Sequence, residues 1–540
     1  MSDIVLVQPP IRDFYLTQKR TFPYGLSRIA ASLRKAGFDV ELIDGLATSK
    51  KKRIALPESM QEAADLYGPP DASPFGLFNG YRHFGYSFEH LASQVRSAKP
   101  WLVGISSLFT AYSNEALHLA KTIKKFHPNC KIVLGGHHPT AFPEMVLETP
   151  DVDFVIRGDG EAAMTELAIC IRKGTGLDAV AGLAFRNARG TTVVKEPAEL
   201  RHLERLPPPA LDLIRLDFYS RNNRAAIVVA ASRGCPMQCR YCCFGSGSSV
   251  SYRRMPWNGV MVEIAAALSR YDVGFIDFED EHLSLDREGM IGFLEEFRER
   301  FGDRGIELRA MNGLYPPSLD AQLVAAMRTA GFRTLNLSLG STDPAQMKRF
   351  NRPHILDAFD RCLRLAENNG LDAVGYLLIA APDQTAKASL ADLLCLAEKR
   401  VLIGVSVYYP APGSADYAWC AQEGLLPADV ALFRSTALPL AHRTTRIETV
   451  TLMRICRMIN FIKRLADAGI NLDRLDKTPV HEGMSRRDRD GIDLLRLFLE
   501  DGRIRGIDCQ GRFFLHRVDE TLVESFRSAI PNIRFRGVKT

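Results

Sequence analysis

Arg233-Gly234-Cys235-Pro236-Met237-Gln238-Cys239-Arg240-Tyr241-Cys242-Cys243 puts four thiols within nine residues, directly behind the apolar run Ala225–Ala231. The chain has eleven cysteines. The other seven (Cys130, Cys170, Cys362, Cys395, Cys420, Cys456 and Cys509) are scattered singly and read as small core hydrophobes. An odd count in 540 residues excludes a small secreted disulfide scaffold. Cys235, Cys239 and Cys242 stand at i, i+4 and i+7 on one loop. Thiolates suit zinc or iron–sulfur centres. Structural zinc would need a second pair of ligands elsewhere, and none is spaced for it. Three thiolates on a single loop instead suit a cubane, holding three irons and leaving the fourth open.

Downstream of the loop, strand-like and helix-like segments alternate: Phe275–Phe278, Met290–Phe297, Leu308–Ala310, Leu319–Met327, Thr334–Leu339, Ala358–Ala366, Ala373–Ile379 and Val401–Tyr408. Repeated βα units over residues 224–435 predict a full or partial parallel barrel with its site at the C-terminal strand ends. Upstream, residues 1–200 alternate in the same way. Ile4–Val7, Val40–Ile43, Leu102–Ser106, Ile132–Leu134 and Phe154–Ile156 read as strands, and the Leu26, Ile29, Ala30, Leu33 stripe as a helix. This predicts an α/β, doubly wound, Rossmann-like domain whose ligand lies outside the strand carboxyl ends. Those ends carry Pro9–Pro10, Ser106–Ser107, Gly135–Gly136–His137–His138 and Gly158–Asp159–Gly160–Glu161, small or hydrogen-bonding residues that let backbone approach a large ligand.

An insertion over 46–100, rich in aromatics (Tyr67, Phe75, Phe78, Tyr81, Phe84, Tyr86, Phe88), is too long for a βα loop. It is expected to cap the ligand, with a satellite core as the other reading. Residues 201–223, with Pro207–Pro209, read as a linker. From 436 to 540 a small α+β domain is expected: Leu452, Ile455, Ile459 and Ile462 stripe a helix ending near Gly469, and Gly506–Phe514 reads as a hairpin. The net charge of +6 is too mild for a nucleic-acid partner. No run of about 18 apolar residues exists, so no membrane span is expected. The opening Met-Ser-Asp carries no basic leader region, so the expected location is cytoplasmic.

The Cys-x₃-Cys-x₂-Cys spacing after the first barrel strand, with aromatic Tyr241 before the last cysteine, resembles the radical S-adenosylmethionine (SAM) superfamily. The resemblance implies a [4Fe–4S] cluster on Cys235, Cys239 and Cys242, at which SAM is cleaved to a 5′-deoxyadenosyl radical. It also implies that Tyr241 lies against SAM, that Glu279-Asp280-Glu281 receives the methionine amino group, and that Ser341 meets the ribose. The chain departs from the pattern at Gly340, where a glutamate is frequent, and at Ala380–Ala381–Pro382, where a glycine is. Cys243 is an extra thiol: packed, a spare ligand, or a soft group facing substrate.

Pro9–Pro10, Pro23-Tyr24-Gly25-Leu26, Val103–Ser107, Gly135–Thr140 and Arg157–Glu161 together resemble the cobalamin-binding domain that precedes the barrel in one radical SAM subfamily. That resemblance covers about residues 1–420 and implies cobalamin contacts from Ser106, Ser107, Gly135, Gly136, His138, Gly158, Gly160 and Glu161. The Asp-x-His-x-x-Gly loop of cobalamin mutases is absent. His138 is accordingly assigned to its loop and not to cobalt, which implies base-off cobalamin.

The implied reaction is methylation of an unactivated carbon or phosphorus of a small natural-product or lipid-like substrate, with SAM as the source of both radical and methyl. An external electron donor such as flavodoxin or ferredoxin would reduce the cluster. Three alternatives stay open: radical cyclisation or oxidation with cobalamin as redox partner, aminocarboxypropyl transfer from SAM to a soft acceptor, and a non-enzymatic sensing module.

Overall fold

The computed structural model describes residues 2–14, 21–77, 80–244, 251–434, 438–470, 472, 475 and 484–539. Phe78 and the expected domain boundary at 435/436 lie outside them. Among the described residues no helix is long and apolar enough to cross a membrane.

The N-terminal sheet holds β1 (Ile4–Gln8), β2 (Val40–Asp44), β3 (Leu102–Ser106), β4 (Lys131–Gly135), β5 (Phe154–Ile156), β6 (Leu183–Arg186) and β7 (Thr192–Val194) in the order β7-β6-β5-β4-β3-β1-β2. The five strands expected from sequence are parallel, and β6 and β7 extend the edge antiparallel. Burial on both faces explains the unbroken apolar composition of β1. Val5 and Val7 join the core under one helical layer, and Ile4 and Leu6 join the core under the other, which includes α1 (Tyr24–Lys35) and α2 (Gly160–Lys173).

The second unit is a partial barrel: β8 (Arg224–Val229), β9 (Val273–Phe278), β10 (Glu307–Arg309), β11 (Thr334–Gly340), β12 (Asp372–Ile379) and β13 (Leu402–Val407). Two parallel runs of three strands are joined by the bridges Leu308–Phe332 and Leu314–Leu337. The C-terminal segment adds α3 (Arg446–Asp467) and a hairpin pairing Arg505–Ile507 with Phe513–Leu515. It shares one continuous buried cluster with the barrel, to which Leu452, Ile455, Ile459 and Ile462 all belong.

Residues 201–223 are bound at both ends. Arg28 donates to the Pro207 carbonyl at 2.9 Å, and the Ala210 N–H donates to Ser27 O at 3.1 Å. Leu211, Ile214, Leu216 and Tyr219 are buried in the barrel core.

The insertion departs from the expected cap. Its last stretch, Phe88–Ala98, is an ordinary helix covering the N-terminal sheet. Of the remainder, Arg82–Phe84 pairs antiparallel with Ile11–Asp13 just past β1, and the rest turns to later parts of the chain: Met60, Leu66, Tyr67 and Tyr81 pack on Leu432, Leu438 and Val450, while Phe75 meets Phe461 edge-on at 5.4 Å. Asp71 is buried against His516 (2.9 Å), which also meets Arg454 (3.1 Å). Among its described residues only Leu46 reaches the interdomain cavity. Aromatic density reflected a second core, built with partners more than 350 residues further along the chain.

A bracket and a cap differ in consequence. Phe75→Ala removes a side chain that is 1% exposed and should lower unfolding free energy by about 3–5 kcal/mol, read by denaturant titration. Cobalamin uptake by the folded fraction, followed by absorbance, should be unchanged.

Candidate active site between the two sheets

The carboxyl ends of β1, β3, β4 and β5 face the barrel across a cavity of about 1240 Å³, larger than the roughly 300–1,000 Å³ of ordinary small-molecule pockets. Of the residues expected to contact cofactor, Ser106, Ser107, Gly135, Gly136, Gly158, Gly160 and Glu161 line it from the sheet, and Glu279 from the barrel. Arg233, Glu281 and Met311 complete the barrel side.

The fit to a large ligand rests on two features. The Ser107 hydroxyl is buried and has no partner among the described residues, an unmet donor and acceptor at the cavity wall. The second feature is exposed backbone. A Cβ on Gly135 would touch only Ile156 O, at 3.8 Å, so the space in front of that residue is open. Gly136 is glycine for another reason: its φ is +124°, and a Cβ would lie 2.5 Å from Ser107 O.

His138 does not face the cavity. It is fully buried against Phe142, with neither ring nitrogen bonded among the described residues, and burial pushes its pKa down to about 4. Its backbone N–H, donating to Ser107 O at 3.3 Å, ties the two turns together. The neighbouring His137 lines the cavity instead and meets Phe244, just past the cysteine loop, at 5.4 Å.

The cysteine loop has little regular structure and is held by its surroundings. Arg240 N–H donates to Phe350 O at 3.1 Å, Asn351 Nδ2 to Gln238 O at 2.7 Å, and Arg352 Nη1 to the Tyr241 hydroxyl at 2.8 Å. Arg240 also pairs with the buried Asp416 at 3.2 Å. Burial pushes the Cys235 and Cys239 thiols up. Cys243 is pushed up first by its hydrogen bond with Cys242 and then by burial. None of the eleven cysteines is joined in a disulfide. Among the described residues no three His, Cys, Asp or Glu side chains converge as one metal ion requires. Thiolates that each take a different iron need not converge.

The Glu279-Asp280-Glu281 expectation divides just past the end of β9. Glu279 and Glu281 line the cavity. Glu279 accepts from Asn312 Nδ2 at 3.3 Å, and Glu281, pushed up to about 7 by burial, accepts from the Gly234 N–H at 3.1 Å. Asp280 faces the other way, 3% exposed, accepting from Ala231 N–H (3.1 Å) and Ser232 Oγ (2.5 Å). It holds the turn that leads into the cysteine loop.

Ser341 is likewise turned inward: it is buried and donates to Asp392 at 2.8 Å. Within the barrel a second cavity of about 330 Å³ is lined by Tyr241, Asn312, Ser338, Arg352, Tyr376 and Ser406. Ser338, Tyr376 and Ser406 were not singled out from sequence. The available signal was a polar residue interrupting an apolar strand.

The family comparison matches the B12 binding domain over residues 80–168 and the radical SAM superfamily over 229–394. The first match contains the cavity-lining turns of β3, β4 and β5, and the second the cysteine loop. This chain is a B12-binding radical SAM protein. An uncharacterized methyltransferase of Pyrococcus horikoshii is 26% identical over 71% of this chain and 75% of its own. The anaerobic magnesium-protoporphyrin IX monomethyl ester cyclase of Rubrivivax gelatinosus is 29% identical over 56% of this chain, which spans about half (55%) of that enzyme's length. Among solved structures, the radical S-adenosylmethionine methyltransferase TsrM of Kitasatospora setae, with cobalamin and [4Fe–4S] cluster bound, aligns at a TM-score of 0.62. The alignment covers 85% of this chain and 91% of that one at 15% identity, a likeness of fold.

Open space at Gly135 yields a direct test. Gly135→Leu should reduce cobalamin binding at least tenfold, read by absorbance after gel filtration, while shifting the unfolding midpoint little. Gly136→Ala should instead lower the midpoint, because there the side chain meets backbone.

Proposed function

We propose that this protein is a cobalamin-dependent radical SAM methyltransferase, acting on an unactivated carbon or phosphorus centre of a small molecule. The observation that carries the reading is the shared cavity: the B12-domain strand ends and the barrel carboxylates beside the cysteine loop line one continuous space. Transfer between two large cofactors needs both reactive faces in such a space, held without intervening water. When bound, the cluster with SAM supplies a 5′-deoxyadenosyl radical, and cobalamin supplies a transferable methyl group.

Cys235, Cys239 and Cys242 hold the cluster in this reading, as thiolates. Glu279 and Glu281 receive the SAM ammonium group, for which carboxylates are the natural acceptors. Asp280 keeps those two in place from behind. The second cavity takes the remainder of SAM, with Ser338 and Asn312 as its hydrogen-bonding groups and Tyr241, fixed by Arg352, as its wall. Ser106, Ser107 and the backbone of Gly135 hold cobalamin. An electron donor such as flavodoxin or ferredoxin reduces the cluster, and a cytoplasmic compartment that keeps thiols reduced suits the chemistry. The Pyrococcus methyltransferase supports methyl transfer; the Rubrivivax cyclase favours a second reading, radical cyclisation without methylation.

Methyl-labelled SAM, supplied anaerobically with a reductant and a metabolite extract, separates these. Label in a new product supports methylation; label retained in methionine supports cyclisation or oxidation; label retained in methylthioadenosine indicates aminocarboxypropyl transfer. A companion prediction concerns the thiols. Cys239→Ala should lose the iron–sulfur absorbance and all 5′-deoxyadenosine formation, whereas Cys243→Ala should keep both.

A further inference from the structure

Asp159 stands at the N-cap of α2, where an aspartate ordinarily accepts a bond from the first helical turn. Its side chain makes no such bond. It accepts instead from Arg233 Nη1 at 2.7 Å, from Arg253, and from the Leu200 N–H at 2.7 Å. Glu161, whose side chain is 4% exposed, accepts from both terminal nitrogens of the same Arg233 guanidinium, at 2.5 and 3.2 Å. Two largely buried carboxylates on the B12-binding side thus face two arginines on the barrel side, with the more exposed Glu199 also 3.5 Å from Arg253.

Position gives the set its consequence. Arg233 is two residues ahead of Cys235, and the intervening Gly234 donates its N–H to Glu281. The loop is therefore gripped from the B12-binding domain at Arg233 and from the barrel at Gly234. Close approach on the other side depends on small residues: a Cβ on Gly158 would lie 2.2 Å from Ala198 O, and one on Gly160 would lie 2.9 Å from Ile29 Cδ1. Glu161 borders the cavity, yet both its oxygens are engaged by Arg233.

We infer that Asp159, Glu161 and Arg233 form an interdomain latch: they are positioning residues that fix the cysteine-bearing loop relative to the cobalamin cavity, and Glu161 is not a cofactor ligand. The inference rests on the cofactor assignment above, but its test needs no substrate and no turnover.

The test has two readouts on the full chain. The first is thermal unfolding of Glu161→Arg, Arg233→Glu and the double exchange. Each single change should lower Tm, and the exchange should recover at least half the combined loss; additive losses would overturn the latch. The second is the dipolar coupling between the spins of the reduced cluster and cob(II)alamin in Glu161→Gln and Arg233→Lys. Both variants should keep wild-type cofactor stoichiometry and give a visibly broadened distance distribution. An unchanged distribution overturns the proposal, and so does loss of cobalamin from Glu161→Gln alone, which would make Glu161 a ligand. If the wild type takes up no cobalamin, the methyltransferase reading fails, and the unfolding comparison still decides the latch.

Discussion

Everything at this site depends on two parallel sheets presenting their C-terminal strand ends to each other across one cavity, and on the seam that keeps them so. The seam is made of buried charge. Arg28 of α1 meets Glu263 of the helix Trp257–Leu268 at 3.0 Å, the two side chains 3% and 5% exposed. The Tyr219 hydroxyl donates to Asp44 at 2.5 Å. Such pairs add little net stability, because desolvation offsets most of the attraction. Separating them leaves charges buried without partners, at about 3–5 kcal/mol, so displacement is opposed far more strongly than the pairs stabilise. Apolar packing alone would permit sliding between near-equivalent arrangements; directed charge pairs specify one.

The same economy of means shapes the cysteine loop. The loop has little regular structure, so its backbone groups must find their bonds elsewhere. Here they come from Phe350–Arg352 and Asp416, segments more than 100 residues away. Asp280 adds to this from below by holding Ser232. The loop is preorganised by contacts that belong to the barrel, and the barrel is in turn placed by the seam.

What was legible in the sequence was local. Ile4–Val7 announced a strand buried on both faces, the Leu26–Leu33 stripe a helix, and the cysteine spacing its own chemistry, because each signal sits within a dozen residues. What was not legible depends on distant partners. Which of Glu279, Asp280 and Glu281 turns from the cavity is decided by Ser232, 48 residues earlier. Ser341 is claimed by Asp392, 51 residues later. Ser338, on β11, reaches the barrel interior because the pleat alternates there. The aromatic insertion was read by composition, and composition cannot say which surface it will cover.

Met311 makes the final step concrete. It follows β10, is 43% exposed, and lines both the 1240 Å³ and the 330 Å³ cavities. Arg309 Nη2 contacts its sulfur at 2.9 Å, and Asn312, beside it, reaches Glu279. In the proposed reading, with cobalamin in the larger space and SAM reaching from its ammonium at Glu279 and Glu281 into the smaller, a molecule that is to meet both would do so near this junction. A methionine there is unbranched and polarisable, able to repack around ligands of different outline without leaving a void. The rigid parts of the site are the charge pairs that join the two units and the glycine turns at the cavity wall. The adaptable side chain stands where, in the proposed reading, the substrate would lie between the two cofactors.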